Sequence, residues 1–91
     1  MKNRFNHWRF EDGSAVTKCT IETEERTPVA IGFSICSPSD QFSRRIGRKI
    51  SEGRAAMALI TGEVVGPIER NSSQALLQIK RHVGAKGIIL D

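Results

Sequence analysis

The sequence predicts an α+β fold: an antiparallel three-stranded sheet packed against one long helix, then a short C-terminal helix and a terminal strand. Two observations support this prediction. Three strand-like stretches come first, separated by polar turns, so we expect them to pair in chain order. A long segment with helical periodicity follows, and residues that start and stop helices bound it.

The length of the chain indicates one domain, 1–91, because chains divide into domains only at considerably greater length. A chain this short buries a comparatively small share of its surface on folding, and only 38% of its residues are hydrophobic. Association between subunits would bury more surface. We therefore expect a homo-oligomer.

The three strands are predicted at 4–10, 15–23 and 29–36. Between the first two, Asp12-Gly13 is a strong hairpin signal, since both positions of a two-residue turn need positive φ. In the third strand, bulky apolar residues alternate with small ones, which gives one bulky face and one small face. A small face allows close approach of a helix, another strand or a ligand, and close packing is the simpler interpretation.

The helix is predicted to begin at 37–40, where a serine N-cap, a proline at the first helical position and an aspartate resemble a capping box. Gly62 is expected to end it. One apolar stripe of the helix is predicted to face the core. Its members are Phe42, Ile46, Ile50, Gly53, Met57 and Ile60. Residues 74–83 are then predicted to form the short helix, and 86–91 the terminal strand.

The charge of the chain points to anionic partners. The formal net charge is +4, from 14 Lys and Arg against 10 Asp and Glu. Five basic residues fall within eleven positions of the helix: Arg44, Arg45, Arg48, Lys49 and Arg54. Arginine suits phosphate because its planar guanidinium donates two parallel hydrogen bonds. A solvated face neutralised by nearby acids such as Glu52 is the other interpretation.

Two further residues are candidates for ligand contact. Ser37 and the free N–H groups that follow it would form an anion site at a helix start, although ordinary capping explains them as well. Trp8 could stack on a base or belong to the core. The candidate ligand-binding residues are Arg44, Arg45, Arg48, Arg54, Ser37 and Trp8.

No catalytic site, metal site or cofactor is predicted. The possible zinc ligands, Cys19, Cys36, His7 and His82, are not paired at short spacing, and both cysteines are expected to be free. No nucleophile lies at a spacing that pairs it with a base, so we do not expect an enzyme. We expect a cytoplasmic protein that does not span a membrane, because no apolar run is long enough to cross a bilayer.

The segment from the third strand into the helix carries a family resemblance. It reads as a strand, a Cys-Ser-Pro-x-Asp-x-Phe turn and a basic helix with a Gly-Arg-Ala triplet. The matching residues are Cys36, Ser37, Pro38, Asp40, Phe42, Gly47, Arg48, Ile50, Gly53, Arg54 and Ala55. In these residues the chain resembles the phage anti-Thoeris sponge family, whose members sequester cyclic ADP-ribose-type or cyclic-nucleotide immune signals between subunits. The resemblance implies a non-enzymatic, oligomeric protein in the host cytoplasm.

The function expected first is therefore that of a phage-type binding protein that sequesters a phosphorylated nucleotide signal without turning it over. Arginines would clamp the phosphates, and an aromatic ring would stack on the base. One alternative is a basic phage accessory protein that binds nucleic acid through the same helix. Another is an inhibitor that acts by direct contact with a host defence enzyme.

Overall fold

The computed structural model describes residues 1–39, 41, 43–66, 68 and 79. Three antiparallel strands form one sheet in chain order. They are β1 (Lys2–Arg9), β2 (Ala15–Glu22) and β3 (Pro28–Cys36), and the helix α1 (Arg44–Thr61) packs against them. The predicted α+β fold is confirmed. The predicted short helix and terminal strand lie outside the described residues, apart from Ile79, which is buried.

Both hairpins of the sheet close through three-residue loops, 11–13 and 24–26, each flanked by backbone hydrogen bonds of 2.9–3.0 Å. The third loop residue has a positive φ in each case: 88° at Gly13 and 64° at Arg26. The Asp-Gly signal thus marks the first hairpin correctly. Only its glycine takes a positive φ, because a three-residue loop needs one left-handed residue where a two-residue loop needs two.

Arg26→Gly is expected to raise the free energy of unfolding by up to about 1 kcal/mol, because a left-handed backbone strains any residue that has a Cβ. Urea unfolding of the variant beside the unchanged chain would measure the gain. Glu25→Gly is the matched control. It adds flexibility where no positive φ is present and should lower stability. Equal losses in both variants would contradict the prediction.

The helix packs on the small face of the sheet. The register puts Thr17 and Cys19 of β2 on the same face as Ser34 and Gly32 of β3. The face of α1 that meets them is also small, and its buried members are Gly47, Ser51, Ala55 and Ala58. A Cβ on Gly32 would collide with the backbone of Ser51 and Ala55. Close helix packing is therefore the reason for the small face of β3.

The prediction that the apolar stripe of α1 faces the core is wrong. Ile46 is 59% exposed, Met57 50% and Ile60 81%, and a Cβ on Gly53 would meet no atom within 4 Å. The physical reason is the short distance between helix and sheet. Large side chains do not fit where backbone meets backbone, so they lie on the far side of α1. Phe42 lies outside the described residues.

The predicted start of the helix is also wrong, whereas its end is confirmed. α1 begins at Arg44, and its N-cap is Ser43, whose hydroxyl accepts a hydrogen bond from the Ile46 N–H at 3.4 Å. The sheet continues to Cys36, so the residues after it carry the chain from the sheet to the helix layer. Gly62 ends α1 in the left-handed conformation (φ 78°).

The other face of the sheet carries a second apolar cluster. It contains Val16, Phe33, Ile35, Val65, Ile68 and Ile79. After α1 the chain returns to the outer edge of β3, where Val65 forms a parallel bridge with Ile31. Further along this edge, the Arg54 guanidinium donates to the Phe33 carbonyl at 2.7 Å. The sheet separates this second cluster from the first, beneath α1, which contains Cys19, Ile21, Ala30, Ala55 and Ala58.

Candidate anion-binding site

The first six positions of α1 hold four exposed basic residues. We call Arg44, Arg45, Arg48 and Lys49 the basic end of α1. The first turn has no acidic residue, and within the described residues no ion pair joins any of the four to a carboxylate. A helix N-terminus is also the positive end of the helix dipole. Side-chain charge and helix dipole therefore favour an anion at the same place.

The basic residues of α1 point in three directions. Arg44 and Arg48 lie toward β1, where both act on the imidazole of His7. Arg45 and Lys49 lie on the side away from the sheet, because the buried residues of α1 are on the opposite side. Arg54 is half-buried at the edge of β3 and donates to a backbone carbonyl. The structure thus separates Arg54 from the other candidate arginines, and its role in ligand binding stays a prediction.

His7 lies beneath the basic end of α1, on the side nearest β1. Its Nδ1 lies 2.8 Å from the Thr17 hydroxyl, beneath the start of the helix. Burial lowers the pKa of His7 below its usual 6.5, and the charges of Arg44 and Arg48 lower it further. An anion bound to these arginines would offset their charge. Such an anion is therefore expected to raise the pKa of His7.

The lowered pKa of His7 predicts a pH dependence of stability. The unfolded chain binds a proton near pH 6.5, whereas the folded chain does so only at lower pH. The contribution of neutral His7 is thus fully present above pH 6.5 and is lost as the pH falls toward the folded pKa. Urea unfolding from pH 7.5 to 5.5 should show this loss, and His7→Gln should reduce it. An identical pH dependence in the variant would contradict the assignment.

Ser37 lies near the basic end of α1 without capping it. Its hydroxyl is 3.1 Å from that of Ser39. The neighbouring Pro38 lies close to the first hairpin loop, since a Cβ on Gly13 would be 3.7 Å from it. This is also the end of the sheet over which α1 begins. The structure therefore places Ser37 at the correct end of the molecule for a site at α1, although the predicted helix-start arrangement is not formed.

Trp8 lies on the opposite face of the sheet from α1. The register pairs it with Val16, a member of the second apolar cluster. Trp8 is 43% exposed, and the Lys18 ammonium lies 5.7 Å from the centre of its ring, within the range of a cation–π contact. The structure does not bring Trp8 together with the arginines of α1 in one protomer.

One basic residue near this surface was missed, because it lies outside the cluster of basic residues in the helix sequence. Arg9 of β1 is exposed and shares the helix-facing side of the sheet with His7. It pairs with Ala15 at the end where α1 begins. The period of two along β1 was the signal that could have placed Arg9 beside the basic end of α1.

Two groups with nucleophilic chemistry beneath α1, the Thr17 hydroxyl and the Cys19 thiol, are buried. Thr17 is 1% exposed and Cys19 is 0% exposed. Burial raises the pKa of the Cys19 thiol to about 11, with a smaller contribution from Glu52. A thiol with this pKa is almost wholly protonated at neutral pH and reacts slowly. In the described part of the chain, no three His, Cys, Asp or Glu residues come together as they would around a metal ion.

A concave region lies at the opposite end of the sheet, with a volume of about 430 Å³. Its lining is of mixed charge and includes an ion pair of 3.1 Å between Arg4 and Glu22. None of the predicted ligand-binding residues lines it. The basic end of α1 is therefore the better candidate for a site that binds anions.

Comparison of the chain with protein-family models, with curated proteins and with solved structures finds no match. The resemblance to the phage sponge family therefore stays a prediction, and function has to be argued from the residues of this chain. Among the helical residues that the structure describes, no helix combines the length and apolar character needed to cross a membrane.

Proposed function

We propose that this protein binds a phosphorylated nucleotide at the basic end of α1 and sequesters it without turnover. The observation that supports the proposal is the concentration of four exposed, unneutralised cations at the positive end of a helix, within the described residues. Each arginine can hold a phosphate through two parallel hydrogen bonds. The setting we propose is the cytoplasm of a host cell, where the ligand would be an immune signal.

The β1 side of the basic end is the part best arranged for a phosphate. Arg44 and Arg48 are one helical turn apart on the same side of α1, and both lie near His7. Arg9 is on the same face and at the same end of the sheet. A phosphate here would contact guanidinium groups from two elements. Because Trp8 lies on the opposite face, it cannot stack on a base held by these arginines in the same protomer.

Retention without turnover agrees with the burial of Thr17 and Cys19 beneath α1. The Thr17 hydroxyl lies within hydrogen-bond distance of His7, which is the arrangement of a nucleophile with its base. However, Thr17 is only 1% exposed, so a substrate atom cannot reach its hydroxyl without movement of α1. Cys19 is equally inaccessible. We therefore assign His7 and Thr17 to the packing beneath the helix.

The same exposed cations would also suit a nucleic-acid backbone, which is the second candidate function. The dependence of the binding constant on salt concentration distinguishes the two candidate functions. If all four cations contact a single strand, the logarithm of the binding constant should fall with the logarithm of salt with a slope of roughly −3. A clamped small nucleotide releases fewer counterions and should show a much shallower slope.

The proposed function is tested with a panel of cyclic di- and trinucleotides, ADP-ribose derivatives and short oligonucleotides. Thermal unfolding would be measured with each compound, and the compounds that stabilise the protein would be titrated at several salt concentrations. A rise of several degrees with a small cyclic nucleotide, with intact ligand recovered afterwards, is the expected result. Stabilisation by oligonucleotides alone would favour the second candidate. No stabilisation by any compound would favour an inhibitor that contacts a host enzyme directly.

The NMR signals of His7 would show where the ligand binds. A phosphorylated ligand at the basic end of α1 should raise the pKa of His7, because it offsets the charges of Arg44 and Arg48. The His7→Gln variant lacks this imidazole, so the signal that is missing from its spectrum is that of His7. A ligand that stabilises the protein and leaves the pKa of His7 unchanged would bind elsewhere.

A further inference from the structure

The side of α1 that faces away from the sheet carries a narrow apolar seam. We define the seam as Ile46, Ile50, Gly53, Met57 and Ile60. Three of its four large side chains are at least half exposed, at 59% for Ile46, 50% for Met57 and 81% for Ile60. Intervals of four and three residues separate its members in alternation. This is the spacing with which one helix packs along another.

We propose that the seam is the contact surface between two copies of this chain, with the two α1 helices antiparallel. The inference is independent of the proposed ligand. It assigns to the expected homo-oligomer a particular face, a particular orientation and a particular symmetry axis.

The glycine of the seam marks its centre. Gly53 lies seven residues from Ile46 and seven from Ile60, and it is also at the middle of α1. In a lone chain it contributes only flexibility, since glycine costs a helix about 1 kcal/mol relative to alanine and a Cβ here would meet nothing within 4 Å. In an antiparallel pair, the two-fold axis passes beside this residue. The missing side chain then lets the two helix backbones approach closely at their crossing.

The charge along α1 selects the antiparallel orientation. All four residues of the basic end lie in the first six positions, and the last turn contains no basic residue. An antiparallel partner places the basic end of one helix beside the last turn of the other. That turn has the negative end of the helix dipole, and Glu63 follows it. A parallel pair would instead place the two basic ends together.

The described residues that follow α1 do not cover the seam. Val65, Ile68 and Ile79 belong to the apolar cluster on the opposite face of the sheet. A second copy, by contrast, brings an identical seam and the complementary charge together. One surface then serves both partners, as a two-fold contact requires.

Sedimentation equilibrium of the full chain tests association. The expected mass at micromolar concentration is twice the 10.1 kDa of one chain. Ile60→Lys should raise the dissociation constant at least tenfold and leave the fold intact, because Ile60 is 81% exposed in the single chain. Leu59→Lys is the matched control, since Leu59 is also exposed but lies outside the seam, and it should change the dissociation constant little.

Disulfide trapping tests the orientation. In the antiparallel pair, two copies of Gly53→Cys should form a disulfide with each other under mild oxidation. Two copies of Ile60→Cys should not, because they would lie roughly 21 Å apart along the helix axis. Peptide mapping by mass spectrometry separates these products from disulfides of Cys19 and Cys36. Trapping at position 60 and not at position 53 would overturn the antiparallel arrangement.

Three other results would overturn the proposal. In the first, the chain stays monomeric at these concentrations and the thiol of Ile60→Cys reacts rapidly with a thiol reagent, which would show that the seam is open to solvent. A monomer in which that thiol is protected would show that the seam is covered by the same chain. A monomer that sediments with vesicles of anionic lipid, in a manner that Ile60→Lys abolishes, would assign the seam to a membrane surface.

Discussion

Gly32→Ala is expected to lower the free energy of unfolding by about 3 kcal/mol, at the upper end of the range for overpacking. The added methyl group would collide with backbone atoms of Ser51 and Ala55 in α1. Backbone atoms cannot rotate away as a flexible side chain can, so the whole helix would have to move off β3. A domain of this size has a total stability of roughly 5–14 kcal/mol, so the loss is a large part of it. Urea unfolding monitored by circular dichroism measures the change.

Gly53→Ala is the control for this prediction. It makes the same chemical change in the same protein, but at a position where the new Cβ meets no atom within 4 Å. At concentrations low enough to keep the chain monomeric, it should raise the free energy of unfolding by up to about 1 kcal/mol through helix propensity. Opposite signs at the two glycines are the expected outcome. If Gly32→Ala were tolerated, α1 could not lie on β3 at the observed distance.

Arg48→Glu is expected to weaken binding of the stabilising nucleotide at least 100-fold. The change removes a charge-assisted hydrogen bond to phosphate and introduces repulsion, and together these effects amount to about 3 kcal/mol or more. Arg48 is exposed, so the fold should be retained. Isothermal titration calorimetry measures the affinity, and urea unfolding measures the stability.

Arg26→Glu is the control for this charge reversal. It changes the net charge by the same amount at the other end of the sheet, in the loop between β2 and β3. A general dependence of binding on net charge would weaken the ligand equally in both variants. Loss of affinity only in Arg48→Glu would locate the ligand at the basic end of α1. Unchanged affinity in Arg48→Glu would remove this helix end from the site.

The strands and the end of the helix could be predicted because their signals are local. The alternation in β3, the glycine at 13 and the glycine at 62 each act on the neighbouring backbone. The start of the helix was not predictable in this way. Two serines, Ser37 and Ser43, both precede helix-compatible residues. The choice between them depends on the distance between the end of β3 and the place where the helix can begin to pack on the sheet, which is a tertiary constraint.

The orientation of α1 was mispredicted by the rule that apolar residues of a helix face the core. That rule assumes that a lone chain buries its large side chains. Here Gly32 on β3 faces small residues of α1, and this contact between two small surfaces determines which side of the helix is inside. The small residues of β3 and those of α1 were both visible in the sequence. Packing one set against the other would have predicted correctly which side of α1 faces the sheet. The positions of His7 and Arg9 near the arginines could follow only from that orientation.

The bond from Arg54 to the Phe33 carbonyl has a consequence for solubility. The edge of a sheet offers unpaired backbone groups, to which a strand from another molecule can add. On the outer side of β3, the Val65 bridge occupies one part of that edge and the Arg54 guanidinium occupies the carbonyl farther along. An arginine kept there hinders the growth of the sheet into fibres. Arg54 thus protects this part of the edge from strand addition, whatever it contributes to ligand binding.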